Sequence, residues 1–392
     1  MVSRLCDRKS SQVFIIMSSS NMSAGGGGGT TSNNNSDSKK GGMRRPASVP
    51  KLRSVALCLN GATTTTDSHG GDDDDAAGAT PVNVTPFYEL ASAPGQAQVI
   101  VDQVADYFAS GKLNHLLKPN VVALDVGANI GSFALELMRR TGGHAQAIYC
   151  FEPVDRTRHA LMENVKRTLD PATPLRAAGT IVRVQDYGLG RETGTITFDV
   201  RPHAPACSGA EGLAASAMNR DAQVARIVDK MRDPENDDMW AKGKPRVASA
   251  VRALVPTFML KAGIGLWVDY YNKVEKEEVK LDTIANFMQR EHLDHVDLLK
   301  VDVEGAEEDV LMGMADGLDL ESPGGIAELK ERWSRVGAIV MELHDVDGRL
   351  HRVRHLLESV GGFRVDLEQE EVFKGGDAQG VDVWNVLATR DD

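Results

Sequence analysis

The chain lacks paired cysteines and long uninterrupted apolar runs, and each shortage excludes a class of protein. Its four cysteines are widely separated and include no C-x-x-C pair, so neither a zinc site nor a disulfide framework is indicated. Such a chain suits a reducing compartment. The apolar run Ala253–Gly265 is interrupted by Pro256 and Lys261, and it is too short and too charged to span a bilayer. We therefore predict no transmembrane segment, although this run is compatible with weak contact at a membrane surface.

Basic residues are also scarce outside the N-terminal region. The first 66 of the 392 residues hold nine Lys and Arg against two Asp and Glu, which leaves 35 basic and 54 acidic residues in the rest. A body this acidic lacks the cationic surface that phosphate backbones require. The composition therefore argues against nucleic acid as the main partner, while an apolar share of 42% is sufficient for a globular core.

The N-terminal 80 residues are of low complexity, with runs of Gly, Thr and Asp. They contain too little apolar surface to offset the entropy lost on ordering. We predict a disordered tail over residues 1–80, with order beginning near Thr85 and one domain over residues 85–392. The first 66 residues are basic and rich in Ser and Thr, a composition shared with organellar transit peptides. Two localisations stay open: cytoplasmic, with a tail that carries no address, or organellar.

The stretch Val121–Gly131, VVALDVGANIG, is the part around which the rest of the chain is organised. Its apolar run predicts a buried parallel strand that ends at Asp125, and the periodic segment Ser132–Arg140 predicts the following helix. A strand, a tight glycine turn and a helix form the ligand site of open α/β sheets, because glycines let the backbone approach the ligand. The spacing differs from G-x-G-x-x-G and suits S-adenosylmethionine better than a dinucleotide. An ordinary turn between strand and helix is the alternative interpretation.

Acidic residues follow the next two predicted strands. Ala145–Glu152 predicts a buried strand that ends in Glu152, whose carboxylate is placed to accept from the 2′ and 3′ hydroxyls of a ribose. Thr180–Gln185 predicts a third strand, which leads into Asp186. This aspartate is either an acceptor for the amino group of an adenine or a residue that stabilises a turn. Both acidic residues are therefore candidates for cofactor binding.

Two later predicted strands end in a group of ionisable side chains. Val296–Val303 contains Asp302 and leads into Glu304, and Gly337–Leu343 is followed by His344. Such carboxylates are costly to bury unless they meet a ligand, a metal or water. His344 is a candidate general base because its pKa lies near neutrality, with Asp302 and Glu304 as rivals, but it is equally a candidate structural partner of a carboxylate. The three side chains together are compatible with a divalent metal, but their spacing is not diagnostic and we predict no metal site.

These segments predict an α/β fold with a doubly wound, Rossmann-like sheet. The sheet is mostly parallel, and the last strands, Phe363–Leu367 and Val381–Ala388, are predicted to form an antiparallel pair. The carboxyl ends of four strands then meet in one crevice. Residues 201–273 break the α/β rhythm and are predicted to be a divergent insertion near the ligand face, which is a natural place for substrate selection.

Four segments in this order carry a family resemblance: LDVGANIGSF, CFEP, DLLKVDVEGAEEDVLMG and IVMELH. Over roughly Gln98–Arg390 the chain resembles the FkbM-type methyltransferases, and KVDVEGAE is the most specific stretch. The resemblance implies a class I methyltransferase that uses S-adenosylmethionine and methylates hydroxyls of sugars, glycans or polyketides. It implies Asp302 and Glu304 as active-site residues. It also implies the following cofactor residues: Asp125, Gly127, Asn129, Gly131 and Glu152.

The sequence thus predicts an S-adenosylmethionine-dependent methyltransferase whose acceptor is a hydroxyl on a sugar, a glycan or a small natural product. Such an enzyme has to align the acceptor oxygen, exclude water and remove the hydroxyl proton. Two alternatives stay open. An NAD-dependent oxidoreductase or sugar-modifying enzyme on the same kind of sheet is disfavoured by the missing G-x-G-x-x-G. A non-catalytic cofactor-binding protein is disfavoured by the acidic residue at every strand end.

Overall fold

The computed structural model describes residues 50–59, 82–93, 96–109, 111–168, 179–211, 220–234, 245–369 and 381–390. The strands in these ranges are, in chain order, β1 (Leu52–Leu59), β2 (Val82–Leu90), β3 (Val122–Val126), β4 (Ala147–Phe151), β5 (Ile181–Gln185), β6 (Gly188–Leu189), β7 (Gly194–Val200), β8 (Gly209–Ala210), β9 (Glu275–Asp282), β10 (Val296–Val301), β11 (Val336–Asp345), β12 (Arg364–Gln369) and β13 (Asp382–Thr389). The α-helices are α1 (Gln96–Ala109), α2 (Ser132–Arg140), α3 (Asp155–Thr168), α4 (Arg220–Arg232), α5 (Pro245–Leu254), α6 (Thr257–Tyr271), α7 (Ile284–Arg290), α8 (Glu307–Met312), α9 (Pro323–Ser334) and α10 (Arg349–His355).

A seven-stranded sheet in the order β12-β13-β11-β10-β3-β4-β5 forms the centre of the fold. The five strands from β11 to β5 are parallel, and β13 is antiparallel to both β11 and β12. The strand order changes direction between β3 and β10, which creates the crevice where open α/β sheets bind ligands. The predicted doubly wound sheet with an antiparallel C-terminal pair is therefore confirmed.

Both faces of this sheet are covered by helices, and β3 shows how the sequence divides between them. Ala123 packs in one apolar cluster with residues of α1, α2 and α3. Val122, Leu124 and Val126 pack in a second cluster with residues of α7, α8, α9 and α10. Because side chains alternate along a strand, a strand buried on both faces needs an almost continuous apolar run, which is what Val121–Val126 supplies apart from Asp125.

A smaller sheet and a group of helices lie beside the carboxyl ends of the parallel strands. The small sheet has the order β6-β9-β7-β8, and β7 and β9 form its long antiparallel pair. Helix α4 packs on α6 through Val224, Val228 and Val268. A bidentate ion pair between Arg220 and Asp269, with distances of 2.5 and 2.9 Å, joins the same two helices. These helices belong to the segment 201–273 that the sequence marks as an insertion.

The structure corrects the predicted boundary of the N-terminal tail. Leu52–Leu59 is a strand that pairs antiparallel with β2, so the prediction of disorder over residues 1–80 is wrong for this stretch. Strand β2 begins at Val82, slightly before the predicted start of order at Thr85. The remainder of the predicted tail, residues 1–49 and 60–80, lies outside the described residues. Asn164 of α3 fixes β2 to the main domain, because its amide exchanges hydrogen bonds of 2.7 and 2.9 Å with the backbone of Tyr88.

Two apolar helices of the insertion are sharply bent relative to each other. Within the described part of the chain, no single helix is long and apolar enough to cross a membrane. Together, the helices Arg246–Leu254 and Thr257–Tyr271 have the length and apolar composition of a membrane span, but they are bent by 114° relative to each other.

Gly127 is required by the contact between two strand ends. Its φ is 76°, and a Cβ at this position would lie 1.8 Å from the backbone oxygen of Asp302. The Asp302 N–H donates to the carbonyl of Val126 at 3.1 Å, so the two chain segments touch backbone to backbone. From the sequence alone, the glycine is explained by the approach of a ligand to the backbone. In the structure, Gly127 is also needed because the end of β10 approaches the turn after β3.

We expect Gly127→Ala to destabilise the fold by about 2–5 kcal/mol. The substitution combines a left-handed backbone cost of about 1–2 kcal/mol with an overpacking cost of about 1–3 kcal/mol. Gly317→Ala is the matched control, because Gly317 has a φ of 75° but nothing within 4 Å of the added Cβ. Urea unfolding of both variants measures the difference. Equal losses of unfolding free energy would show that the contact with Asp302 is unimportant.

Candidate functional site

A cavity of about 970 Å³ lies at the carboxyl ends of β3, β4, β10 and β11. Its walls come from the turn after β3, from the small sheet and from one face each of α4 and α6. This volume is near the upper limit of single-ligand pockets. The cavity therefore has room for a nucleoside-sized ligand and a second small molecule side by side.

Six of the nine residues predicted for the site line this cavity, and three do not. The lining residues are Gly127, Asn129, Glu152, Asp302, Glu304 and His344. Asp125 is fully buried beneath the turn, and a Cβ at Gly131 would meet Leu161 of α3 rather than open space. Asp186 is exposed and does not contribute to the cavity wall, so the geometry gives no support to its predicted contact with adenine.

Glu152 is tied to the turn after β3. One of its carboxylate oxygens accepts from the backbone N–H of Asn129 at 2.9 Å, and the other accepts from that of Val154 at 3.0 Å. Burial raises the pKa of Glu152 to about 7, although these two hydrogen bonds and nearby cations oppose the shift. Each carboxylate oxygen has a second lone pair, so the side chain keeps the capacity to accept from two hydroxyls.

The same turn presents buried polar atoms that have no partner among the described residues. Asn129 Oδ1 and Ser132 Oγ both belong to cavity-lining residues, and neither has a hydrogen bond. Asn129 also has a φ of 49°, which is uncommon for a residue other than glycine. Buried polar atoms without partners are costly in the folded protein. Asn129 Oδ1 and Ser132 Oγ are therefore positions at which a bound ligand can form hydrogen bonds with the protein.

Lys300 is a central residue of the site that the sequence analysis did not identify. It stands opposite Asp125 in the register of β10 and β3, and its ammonium lies 3.3 Å from Asp125 Oδ1 and 3.5 Å from Asp302 Oδ2. It also donates to the carbonyl of Gly127 at 2.7 Å. Burial lowers the pKa of Lys300, but the carboxylates of Asp302 and Asp125 outweigh this and raise it above its usual value. A lysine within the apolar run LLKV was the available indication, since an unpaired charge is rarely buried.

Glu307 organises the other end of the site. Its fully buried carboxylate accepts from the backbone N–H of Gly305 at 2.6 Å and lies 3.1 Å from His344 Nδ1. The guanidinium of Arg349 donates to the same carboxylate at 3.2 Å and to the carbonyl of His344 at 2.8 Å. In the sequence, this glutamate is marked only as the last residue of the stretch KVDVEGAE.

His344 is held as a cation by its surroundings. Burial lowers its pKa, but the hydrogen bond to Glu307 and the charges of Glu304 and Glu342 outweigh burial and raise the pKa to about 10. Its Nε2 lies 3.8 Å from Glu304 Oε2 and 4.0 Å from Glu342 Oε1. An imidazolium has no free lone pair, so this environment disfavours the predicted role of His344 as general base and favours the alternative of a partner for carboxylates.

Glu304 faces the cavity from a constrained backbone position. Its φ is 53°, and the following Gly305 has a φ of 103°, so the chain leaves β10 in a tight left-handed turn. Burial raises the pKa of Glu304 to about 8, while the charge of His344 opposes the shift. A carboxylate whose pKa lies near neutrality is suited to accept a proton in a reaction at physiological pH.

The metal alternative finds no geometric support. Among the described residues, no group of three or more His, Cys, Asp or Glu side chains has the arrangement of a metal site.

Comparison with known proteins places this site in a family. The sequence profile of the methyltransferase FkbM domain matches residues 125–364, which include the end of β3, the glycine turn that follows it, the Glu304 turn and His344. The chain belongs to the FkbM methyltransferase family. The match covers more than half of the 392 residues and confirms the resemblance that the four sequence segments indicate.

Individual relatives are distant. The 31-O-demethyl-FK506 methyltransferase FkbM of Streptomyces tacrolimicus is 29% identical over 260 residues, which are 66% of this chain and 78% of that protein. AMB antimetabolite synthetase AmbE of Pseudomonas aeruginosa is 26% identical over 285 residues, and the chain spans only 11% of its length. A crystal structure of methyltransferase FkbM from Methylobacillus flagellatus aligns with a TM-score of 0.36 at 14% identity, covering 72% of this chain and 46% of that one.

Membership of the FkbM methyltransferase family agrees with the sequence prediction, in which S-adenosylmethionine is the cofactor, and it disfavours the NAD alternative. The residues present fit such a cofactor. The turn after β3 offers unpartnered buried acceptors at Asn129 and Ser132, and Glu152 retains lone pairs toward the same space. Lys300 and the turn glycine complete a polar cradle at the sheet edge.

The free energy of unfolding should fall as the pH rises from about 6.5 to 10. A histidine whose pKa is raised in the folded state stabilises the fold fully below its unfolded pKa of 6.5, and this contribution is lost as the pH rises through about 10. The raised pKa of Glu304 likewise lowers the free energy of unfolding as the pH rises from 4.5 to about 8. Urea unfolding across this range measures the slope.

Glu307→Gln should lower the pKa of His344 and destabilise the fold by about 3–5 kcal/mol, because it leaves buried Arg349 without its carboxylate. NMR titration of the His344 ring measures the first effect. Glu328→Gln, which removes one half of an exposed pair with Arg332, is the control. A His344 ring that still titrates near pH 10 in the Glu307 variant would contradict the assigned ion pair.

Proposed function

We propose that this protein transfers a methyl group to a hydroxyl oxygen of a sugar, a glycan or a small natural product. The observation that carries the proposal is the position of Glu304. Its carboxyl faces the same cavity as the glycine turn, and its pKa of about 8 suits it to remove a hydroxyl proton. Methyl transfer to a nitrogen or sulfur nucleophile that is already unprotonated needs no such base.

The cofactor-binding side of the cavity is assigned to Glu152 and the turn after β3. Glu152 is proposed to bind the ribose hydroxyls, because both of its oxygens are already oriented by backbone N–H groups. Asn129 and Gly127 provide the backbone that lies against the cofactor. Once bound, the cofactor supplies an activated methyl group on a sulfonium centre. Asp125 and Gly131 act beneath the surface, where they shape the turn.

The catalytic side is assigned to Glu304, with Asp302 beside it. Glu304 accepts the proton of the acceptor hydroxyl as the oxygen of that hydroxyl gains the methyl group. Asp302, whose side chain is 33% exposed, lines the cavity between Glu304 and the turn and is proposed to contact the bound ligands. His344 is a positioning residue: its charge, 3.8 Å from Glu304, keeps the carboxylate in place and limits the rise of its pKa.

One relative adds support for oxygen as the acceptor atom. The Streptomyces tacrolimicus protein is named as a methyltransferase for 31-O-demethyl-FK506, so its methyl group belongs on an oxygen. The family match includes the whole VDVEGAE segment that contains Asp302, Glu304 and Glu307. These ionisable groups therefore lie within the family domain, and they are proposed to serve an O-methyl transfer in this protein as well.

Glu152→Ala should weaken the binding of S-adenosylhomocysteine by about 1–3 kcal/mol, the range for a hydrogen bond to a charged group. Asp186→Ala should leave the affinity unchanged, because Asp186 lies outside the cavity. Isothermal titration calorimetry of both variants distinguishes these expectations. Unchanged affinity in the Glu152 variant would remove the ribose assignment, and weaker binding in the Asp186 variant would restore the contact with adenine.

Glu304→Gln should reduce kcat by about 10²- to 10⁴-fold while the affinity for S-adenosylhomocysteine stays within twofold. The wild-type rate should rise with pH as the Glu304 carboxyl ionises near pH 8. Transfer of a labelled methyl group to a panel of hydroxyl acceptors measures both effects. Glu331→Gln, at an exposed pair with Arg335, is the control. A Glu304 variant of wild-type activity would exclude this residue as the base.

A further inference from the structure

Helix α4 of the insertion presents two different faces. Val224, Val228 and Met231 are buried, and the two valines pack against α6. A second face lines the cavity at positions spaced by i, i+3, i+4 and i+7, which lie on one side of a helix. These lining residues are Gln223, Arg226, Ile227 and Lys230. The polar face of α4 therefore points toward the ligand space rather than only toward bulk solvent.

Two cations one turn apart face this space. Arg226 and Lys230 are both half-buried, and within the described part of the chain no carboxylate lies at ion-pair distance from Lys230. Burial and repulsion by Arg226 lower the pKa of Lys230. Like charges at i, i+4 on a helix are destabilising, and partial burial adds to the cost. An anion bound beside both cations would lower this electrostatic cost.

Aromatic rings lie on the adjoining wall. Trp267 and Tyr271 of α6 line the same cavity, with ring centroids 4.3 Å apart. The wall formed by the ends of the parallel strands carries Glu152, Asp302 and Glu304. The cavity-lining face of α4 thus carries two cations and no carboxylate, whereas the strand ends carry three carboxylates together with the buried Lys300. In a chain with a net charge of −12, this local cationic wall is a departure from the average surface.

We propose that the acceptor carries an anionic group, a carboxylate or a phosphate, which binds to Arg226 and Lys230 while an adjoining ring packs against Trp267 and Tyr271. The hydroxyl to be methylated then faces Glu304 across the cavity. This inference rests on the proposed O-methyltransferase function, and it narrows the acceptor from any hydroxyl compound to one with a negative charge. Helix α4 supplies both the orientation and the specificity.

A stability measurement provides an independent consequence. Because Lys230 repels Arg226 in the free protein, Lys230→Gln should leave the melting temperature unchanged or raise it. A residue that merely stabilised the insertion would have the opposite effect. The same measurement confirms that the variant is folded before its ligand binding is examined.

The test uses the full chain and phenyl phosphate as a probe with an aromatic ring and a dianionic group. Calorimetric titration is run with and without saturating S-adenosylhomocysteine, so that the anion site is tested even if the cofactor assignment fails. Benzoate provides a carboxylate and benzyl alcohol a neutral ring. The variants are Arg226→Gln and Lys230→Gln. Lys261→Gln is the matched control, because Lys261 is exposed on α6 and does not line the cavity.

We expect saturable binding of phenyl phosphate that is weakened about tenfold or more in each α4 variant and unchanged in the Lys261 variant. Benzyl alcohol should not distinguish the variants, and the relative affinity of benzoate and phenyl phosphate identifies the preferred anion. Absent binding of both anions, or equal binding in all variants, would overturn the anion site while leaving the methyltransferase proposal intact. Failure of S-adenosylhomocysteine to bind would instead count against the proposed function.

Discussion

The buried ammonium of Lys300 is the interaction on which the site depends. It joins the ends of β10 and β3 by lying between Asp125 and Asp302 while donating to the carbonyl of Gly127. Without this cation, Asp125 would be a fully buried carboxylate at the centre of the sheet, at a large desolvation cost. The absence of a side chain on Gly127 is what allows the two segments to meet backbone to backbone. The contacts of Gly127 with Lys300 and Asp302 therefore fix the glycine turn independently of any ligand.

A second buried cluster sets the electrostatics at the other end of the crevice. Glu307 pairs with Arg349 and His344, so the imidazolium beside Glu304 is itself fixed by a buried carboxylate. The consequence is a division of roles between two groups that differ in protonation. His344, with a pKa of about 10, stays charged at neutral pH, while Glu304, with a pKa of about 8, titrates near it. Environment rather than residue type thus decides which group is suited to accept a proton.

The fold was largely predictable from the sequence because the buried parallel strands are continuous apolar runs and the turn after β3 is marked by glycines. Glu152, Asp302 and Glu304 were predictable as site residues because each follows such a strand. The same rule assigns Asp125 to the crevice, but its side chain is fully buried, pairs with Lys300 and does not line the cavity. Strand β9 was missed because its charged sequence EKEEVKLD lacks the apolar run of a buried strand, although it lies between β6 and β7 in the small sheet. His344 was predictable as a partner of a carboxylate, but the sequence does not specify that it contacts Glu304 and Glu307.

The two walls of the cavity differ in how much the sequence reveals about them. The sheet edge is built from short segments whose chemistry follows directly from strand ends and glycine turns, so the cofactor could be inferred without a structure. The opposite wall comes from helices of the insertion, where Gln223 and Lys230 are ordinary polar positions of an amphipathic helix until their common direction is known. Helix α4 places two cations on the wall of a cavity whose strand-end wall carries three carboxylates. A ligand with a hydroxyl at one end and an anionic group at the other matches this distribution of charge. We therefore expect the insertion to bind the acceptor and the strand ends to bind the methyl donor.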